Sequence, residues 1–589
     1  MTPIDRLKAL TPDLVDYDKT KLIGDVGSGA AVAFLSIPQG VAYAMIAGLP
    51  PKVGLYAAMI PSIIGALTRS SRHVVAGPTN AVSLLVGGAV ATLAAQNGAE
   101  PVVVAATLAL MVGVMQVAAG ALRLGAIIDY IGAPVVLGYI TGAGVLIAVG
   151  QLPNLTGTAG GSGNLLEKLS VWGQGLTQVN PLALVLGIGA AAAVVLIRKI
   201  DRRIPTAVLV MTLGIVLEFI FDFHSRGVQV LADIARVPSS LPPFSIPSVA
   251  GLDTLLPLAA ATTVLSLVES SAVGRSLAAR TGDRVDANRE FIGQGLANVA
   301  AAFSGGYVVS GSPSRSSMCW RAGGKTRLAG VIGGLMVIVM VWVGGPILDH
   351  TPVPVLGGLL VIVAYDVIDI PRIKVTLKTT PGDAVAYIVT LIGCFSLPLD
   401  RAIYLGVGVS LVFFLRRASI LVSSELAIDE TGRLREVEVG DDEAPVERAP
   451  KLRIIHLEGA LFFGSAGELR RILDAQVADP EVEVVILRMK RTGGMDISCA
   501  TVLADAAELM RSRGMTLLVV GVKPTVYAKL ERANAMERIG PENIFETQVT
   551  WFGAMDAAIE RAMEITGFQC KAMHNYLAWR SSHQPLERP

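Results

Sequence analysis

Ala76-Gly77-Pro78-Thr79-Asn80 and Ser310-Gly311-Ser312-Pro313-Ser314-Arg315 are two stretches of one kind. Each sets small residues, a proline and polar side chains in surroundings apolar enough for a bilayer. Proline suits the first turn of a helix, where its missing N–H would be unpaired anyway. Both stretches therefore read as helices that begin inside the membrane. Such a start leaves free backbone N–H groups and the positive end of a dipole, which together make an anion site. A matching pair of interrupted segments in two halves of a chain points to a transporter's binding site. Taken singly, each stretch reads equally well as a proline kink, because Pro and Gly are common in membrane helices. Their pairing, with Arg315 beside the second, favours function.

The rest of the chain fits a polytopic membrane protein with a long tail. It has 589 residues, 52% of them hydrophobic and only 16% charged, with a mean hydropathy of +0.58. Apolar segments recur about seven times between residues 27 and 222 and about seven times between 255 and 416. Several are shorter than the ~20 residues of a full span, including those at the two Pro stretches. With the N-terminus inside, about nineteen Lys and Arg fall on inward connections, among them Arg69, Arg72, Arg202, Arg203 and Arg327, and about five on outward ones. Seven spans per half give the halves opposite orientation, the inverted-repeat plan of secondary transporters.

Residues 1–24 carry Asp5, Asp13, Asp16 and Asp18 among lysines, with no apolar core followed by a small-residue cleavage site, and read as a cytosolic lead-in. The transporter domain is expected over 25–420 and an acidic linker with Pro445 and Pro450 over 421–450. Strand–helix alternation over 451–565 implies a small α/β domain, followed by a polar tail at 566–589. The net charge of +1 argues for no particular partner, and no nucleic acid is expected. Cys319, Cys394, Cys499 and Cys570 make no C-x-x-C pair, so no metal site or disulfide framework is indicated. No Walker A, H-E-x-x-H or nucleophile-elbow pattern occurs, and neither an enzyme nor a cofactor is expected.

Three further residues carry chemistry. Glu269 lies deep in the eighth segment, where an ionisable group marks a functional site by default. It suits a proton carrier, part of a sodium site with neighbouring hydroxyls, or an ion pair with Arg315. Arg315 can bind an oxyanion through two parallel hydrogen bonds or snorkel to the interface. Gln39 and Tyr43, at i and i+4 in Ile37-Pro38-Gln39-Gly40-Val41-Ala42-Tyr43, share one helical face. They can line a small polar cavity, or serve the backbone freed by Pro38 and the membrane interface.

The run Ile37 to Ala44, then Ala47-Gly48-Leu49-Pro50-Pro51 and Gly54-Leu55-Tyr56, resembles the signature of the SulP sulfate permease family. Ser71-Arg72-His73, Gly77-Pro78-Thr79, Asn288-Arg289-Glu290, Gln294-Gly295, Gly311 to Ser316 and Gly323-Gly324-Lys325-Thr326 follow the same pattern. The resemblance covers nearly the whole chain. It implies fourteen segments in 7+7 inverted repeats forming core and gate domains, a C-terminal STAS domain and a homodimer. It places the anion between the third and tenth segments, lined by Gln39, Tyr43, Thr79 and Ser314 with Arg315 adjacent, and makes Glu269 the coupling group. The implied function is secondary active transport of an inorganic oxyanion, sulfate foremost, by proton symport with alternating access. The protein would sit in a bacterial cytoplasmic membrane with the N-terminus and STAS domain in the cytosol, where a partner could bind. Alternatives are sodium-coupled transport of bicarbonate or a dicarboxylate, an uncoupled channel, and an anion sensor signalling through the STAS domain. The STAS loop Asp496-Ile497-Ser498-Cys499-Ala500 resembles one phosphorylated in anti-sigma antagonists. Ser498 falls at that position, but the following glycine is missing, and helix capping by Ser498 is the favoured reading.

Overall fold

The computed structural model describes residues 17–97, 100–125, 132–161, 165–200, 206–234, 236–237, 241–247, 252–428, 433–437, 451–548, 553–567 and 571–582. Most of the lead-in, the linker from 438 to 450, the end of the tail, Arg202, Arg203 and Cys570 lie outside these. The chain divides into two compact units, Met1–Ser410 and Leu411–Pro589.

The first unit is helical. Its first half holds α1 (Lys19–Ile46), α2 (Pro51–Ala58), α3 (Ile60–Thr68), α4 (Asn80–Asn97), α5 (Pro101–Ala121), α6 (Ala133–Gly150), α7 (Pro181–Ile200) and α8 (Thr206–Phe221). Its second half holds α9 (Leu252–Thr281), α10 (Ala287–Phe303), α11 (Pro313–Arg321), α12 (Leu328–Leu348), α13 (Val353–Val367), α14 (Ile370–Thr379), α15 (Pro381–Ser396) and α16 (Leu399–Ala418). Among the described residues, eight helices are long and apolar enough to cross a membrane. By contrast α11 has nine residues, too few to span ~30 Å of hydrocarbon at 1.5 Å per residue. The last helix, α16, crosses the division between the units, ten residues before the boundary expected at 420.

Lipid tails are as apolar as leucine, so membrane helices associate through close packing, and small residues mark the closest approaches. A Cβ on Gly54 of α2 would collide with the Gly40 carbonyl of α1, and one on Gly113 of α5 would lie 2.8 Å from the Gly295 carbonyl of α10. The first crossing holds the α1 turn that carries Gln39 and Tyr43. The second brings α10 against α5, in a buried cluster with Leu85, Leu108, Val112, Leu265 and Ala301 from α4, α5, α9 and α10. A separate cluster joins α1 and α2 to α7, α8, α12 and α13 through Val41, Leu55, Val194, Met211, Val337 and Leu356.

Between α3 and α4 the chain runs extended as β1 (Ala76–Gly77), and between α10 and α11 as β2 (Ser310–Gly311). These two pair antiparallel, Ala76 with Gly311 and Gly77 with Ser310. The two interrupted stretches thus meet, and the chain enters α4 and α11 from opposite directions.

The second unit contains a six-stranded sheet. The order is β4 (Leu434–Val437), β3 (Val422–Ile428), β5 (Leu452–Leu461), β6 (Val484–Met495), β7 (Thr516–Val522), β8 (Ile544–Glu546). The last four strands run parallel, and β3 is antiparallel to both its neighbours. Strand alternation sends Ile455, Leu457, Val485, Leu487 and Val519 to one face, where α17 (Ala466–Val477), α18 (Ile497–Ser512) and α19 (Pro524–Arg532) cover them. Ile454, Val484, Ile486 and Leu518 face α20 (Gly553–Thr566) and Tyr576 of α21 (Lys571–Ser582) on the other. Two expectations differ from this. The stretch read as linker contributes β3 and β4, because Leu426, Ile428 and Val437 are buried on the sheet. The stretch read as tail forms α21, tied down by Tyr576 Oη and Arg580, which donate to Asp556 at 2.7 and 3.0 Å.

Gly54→Val should overpack the α1–α2 crossing by well over the ~1–3 kcal/mol typical of an inserted methylene. The expected outcome is loss of the monodisperse peak on size-exclusion chromatography of the solubilised protein.

Candidate functional site

The site forms where the two interruptions meet. Ser312 caps α11, its hydroxyl accepting from the Arg315 N–H, and Pro313 takes the first helical position. The Ser312 N–H donates to the Val75 carbonyl at 3.0 Å and Ser316 Oγ accepts from the Val75 N–H at 3.0 Å, so the second stretch is stitched to the first. Pro78 does not head α4 in the way Pro313 heads α11. It lies just ahead of Asn80, and its carbonyl accepts a hydrogen bond from Arg315 Nη2. That carbonyl is drawn to a side chain instead of into a helical turn.

Arg315 is fully buried. Apart from the Pro78 carbonyl, its guanidinium is unsatisfied: Nε and Nη1 have no hydrogen-bond partner. Among the described residues no ion pair joins it to Glu269. The guanidinium lies over Gly77, where a Cβ would come within 2.7–2.8 Å of Cζ, Nη1 and Nη2. Gly77 has φ of 154°, a conformation that L side chains rarely adopt. A buried positive charge without a direct ion pair is costly, so this arrangement is poised for an anion.

The other expected residues gather around it. Gln39 Nε2 of α1 donates to Ser314 Oγ at 3.1 Å. Tyr43, one turn further on, is buried and within electrostatic reach of Arg315 and Glu269. Thr79 is buried, and its hydroxyl donates to Glu269 Oε2 at 2.9 Å. Glu269 on α9 is half-buried, with the Ser310 hydroxyl also beside it. Four elements therefore contribute: α1, the β1–α4 junction, α9 and the β2–α11 junction. Glu269 pairs with Thr79 rather than with Arg315, and Arg315 points inward rather than snorkelling.

Sequence reasoning passed over the Pro78 carbonyl and Gly77, whose role depends on where a distant side chain lies. It passed over Tyr307 too, buried before β2 with its hydroxyl 2.7 Å from Ser83 Oγ. In the second unit, Ser498 lies in the first turn of α18, half-buried. It is not the cap: Asp496 accepts from the Cys499 N–H at 3.1 Å, and its other oxygen from the Phe463 N–H at 2.6 Å. A carboxylate two residues earlier reaches the same free donors. Burial pushes the adjacent Cys499 thiol up to about 11.

Known proteins give this geometry a context. The profile of the sulfate permease family matches residues 22–390, and that of the STAS domain residues 443–550. The chain is 30% identical over 541 residues to a probable sulfate transporter of Mycobacterium tuberculosis (MT1781), covering 91% of this chain and 95% of that one. Its fold is similar to murine Slc26a9, an anion transporter, with a TM-score of 0.85, 21% identity and 95% of both chains covered. It is also similar to the transmembrane domain of the cyanobacterial bicarbonate transporter BicA, with a TM-score of 0.58, 22% identity, and 67% of this chain and 98% of that one covered.

Gly77→Ala places a methyl group against the guanidinium and strains the backbone. Oxyanion affinity, measured by isothermal titration on purified protein, should fall about tenfold or more, equivalent to ~1.4 kcal/mol, while the protein stays folded.

Proposed function

Because the chain belongs to the sulfate permease family of multi-pass membrane transporters, we propose that it carries an inorganic oxyanion, sulfate foremost, by proton symport. The observation that carries this reading is the buried Arg315 guanidinium with two unpartnered donors. An oxyanion supplies acceptors for these donors and a charge opposite to that of the guanidinium. Ser314 and Gln39 stand beside it as neutral donors, and the starts of α4 and α11 add their dipoles.

Glu269 sets the coupling. A dianion entering beside an ionised carboxylate meets a like charge in a region of low dielectric. A proton on Glu269 removes that charge, and Thr79 keeps the carboxyl in place. Anion and proton therefore load together. Transport follows as the core domain, holding the two half-helices, moves against the gate domain, exposing the site to each side in turn. The proposed assembly is a homodimer in the cytoplasmic membrane, with the STAS domain in the cytosol.

The test is labelled sulfate uptake into proteoliposomes under an inward proton gradient, then an inward sodium gradient, with bicarbonate and dicarboxylates as competitors. Proton-driven accumulation is expected, and Glu269→Gln should lower it about tenfold or more, ~1.4 kcal/mol in rate terms. A Glu269→Gln protein that still concentrates sulfate overturns the coupling role. Sodium-driven flux of bicarbonate or a dicarboxylate, with none of sulfate, replaces the substrate and keeps the site. Sulfate binding without flux turns the reading into that of a sensor.

A further inference from the structure

A second arginine is buried as completely as Arg315, and its surroundings are the opposite. Arg69 follows α3 and is 0% exposed, and Glu290 in the first turn of α10 is 1% exposed. Arg69 Nη1 lies 3.2 Å from Glu290 Oε1 and 3.1 Å from Ser270 Oγ. Its Nη2 donates to the amide oxygen of Gln294. Glu290 also accepts from the Ser71 N–H at 3.2 Å and from Ser71 Oγ at 3.0 Å. The charge of Arg69 is thus matched by a carboxylate, and both its terminal nitrogens are engaged by protein. There is no slack above it, because a Cβ on Gly293 would meet Arg69 Cγ at 2.6 Å.

We propose that Arg69 and Glu290 form a positioning pair, which holds the start of α11 and the turn carrying Glu269 in one frame without touching the anion. The proposal rests on the reading of Arg315, Ser314 and Glu269 as the transport site.

The first arm runs through Gln294. With its amide oxygen taken by Arg69, its Nε2 is turned to the Val309 carbonyl, at 2.7 Å. One turn on, Asn298 grips the same residue from both sides: Nδ2 donates to the Val309 carbonyl at 3.0 Å, and Oδ1 accepts from its N–H at 2.7 Å. Val309 immediately precedes β2, where no helix supplies backbone partners, so amide side chains of α10 serve in their place. The second arm runs through Ser270, the neighbour of Glu269. A Cβ on Gly311 of β2 would come within 2.9 Å of Ser270 Oγ, so the hydroxyl fixed by Arg69 abuts the strand leading to Ser314 and Arg315. The third runs through Ser71, four residues before Val75, whose carbonyl accepts from the Ser312 N–H. One ion pair therefore ties together three of the four chain segments that deliver the candidate ligands.

A pair that only stabilises the fold would change protein yield and melting temperature and leave substrate recognition alone. A positioning pair changes KM. The variants are Gln294→Met, which removes the clamp and no charge; Glu290→Gln; and the double Arg69→Met/Glu290→Met, which removes both charges and keeps volume. Each is compared with the unaltered full-length protein in proteoliposome uptake of sulfate and in hydrogen–deuterium exchange of the purified protein. The expected result is a KM raised about tenfold or more with kcat within about twofold, and faster exchange over residues 305–318 and 72–82. Should Glu290→Gln fail to fold by leaving Arg69 unpaired, the other two variants decide. Unchanged exchange in folded variants overturns the proposal, and so does faster exchange with an unchanged KM. If the unaltered protein carries neither sulfate, bicarbonate nor a dicarboxylate, the transport reading fails, and exchange over 305–318 alone decides whether the pair positions this segment.

Discussion

A guanidinium held inside the protein with no carboxylate ion-paired to it, among the described residues, is the constraint on which the centre of this structure depends. Arg315 is wholly buried, and among the described residues its guanidinium makes one hydrogen bond, to a neutral carbonyl, that of Pro78. An unbroken helix through Pro78 would commit that carbonyl to its own i→i+4 bond. The break in the chain, the extended pairing of β1 with β2 and the absence of a side chain at Gly77 are therefore one requirement expressed three times. Each makes room, or frees an acceptor, for the same charge.

Breaking helices inside a membrane domain exposes backbone groups that water cannot satisfy, and the chain answers with side chains. Gln294, Asn298 and Ser266 all reach the Val309 carbonyl, and Ser62 Oγ reaches the Ala76 carbonyl at 2.6 Å. This explains why so much polarity is buried in a chain so apolar overall. It is concentrated around the two interruptions, while the helices that carry them pack through glycine, alanine and valine.

Much of this was legible in the sequence, for identifiable reasons. Apolar periodicity with small-residue punctuation gave the helices, and the recurrence of a proline among polar residues gave the two half-helix starts. The candidate ligands Gln39, Thr79, Ser314 and Arg315 were legible because each lies within a residue or two of such an interruption or of Pro38. Contacts between distant segments were not. Arg69 reads as an inward loop charge until α10 is laid over it, and then it is half of a buried ion pair. Nothing near Asp496 in sequence says that it, rather than Ser498, reaches the first free donors of α18. The strand β3 opens with Val422-Ser423-Ser424-Glu425, too polar to read as a strand, and is recruited by pairing with β5. The helix α21 owes its place to one carboxylate, Asp556.

The separation of Glu269 from Arg315 carries the most chemical meaning. Had the two formed a direct ion pair, each would neutralise the other, and an arriving anion would have to break that pair before it could bind. Instead each is held by a neutral group. The Pro78 carbonyl accepts one hydrogen bond from the guanidinium and brings no charge of its own. The Thr79 hydroxyl suits Glu269 in either state, because a hydroxyl donates to a carboxylate and accepts from a carboxylic acid. Such a site can gain a proton on one side and an anion on the other without dismantling its own scaffold, which is the property that coupled loading requires.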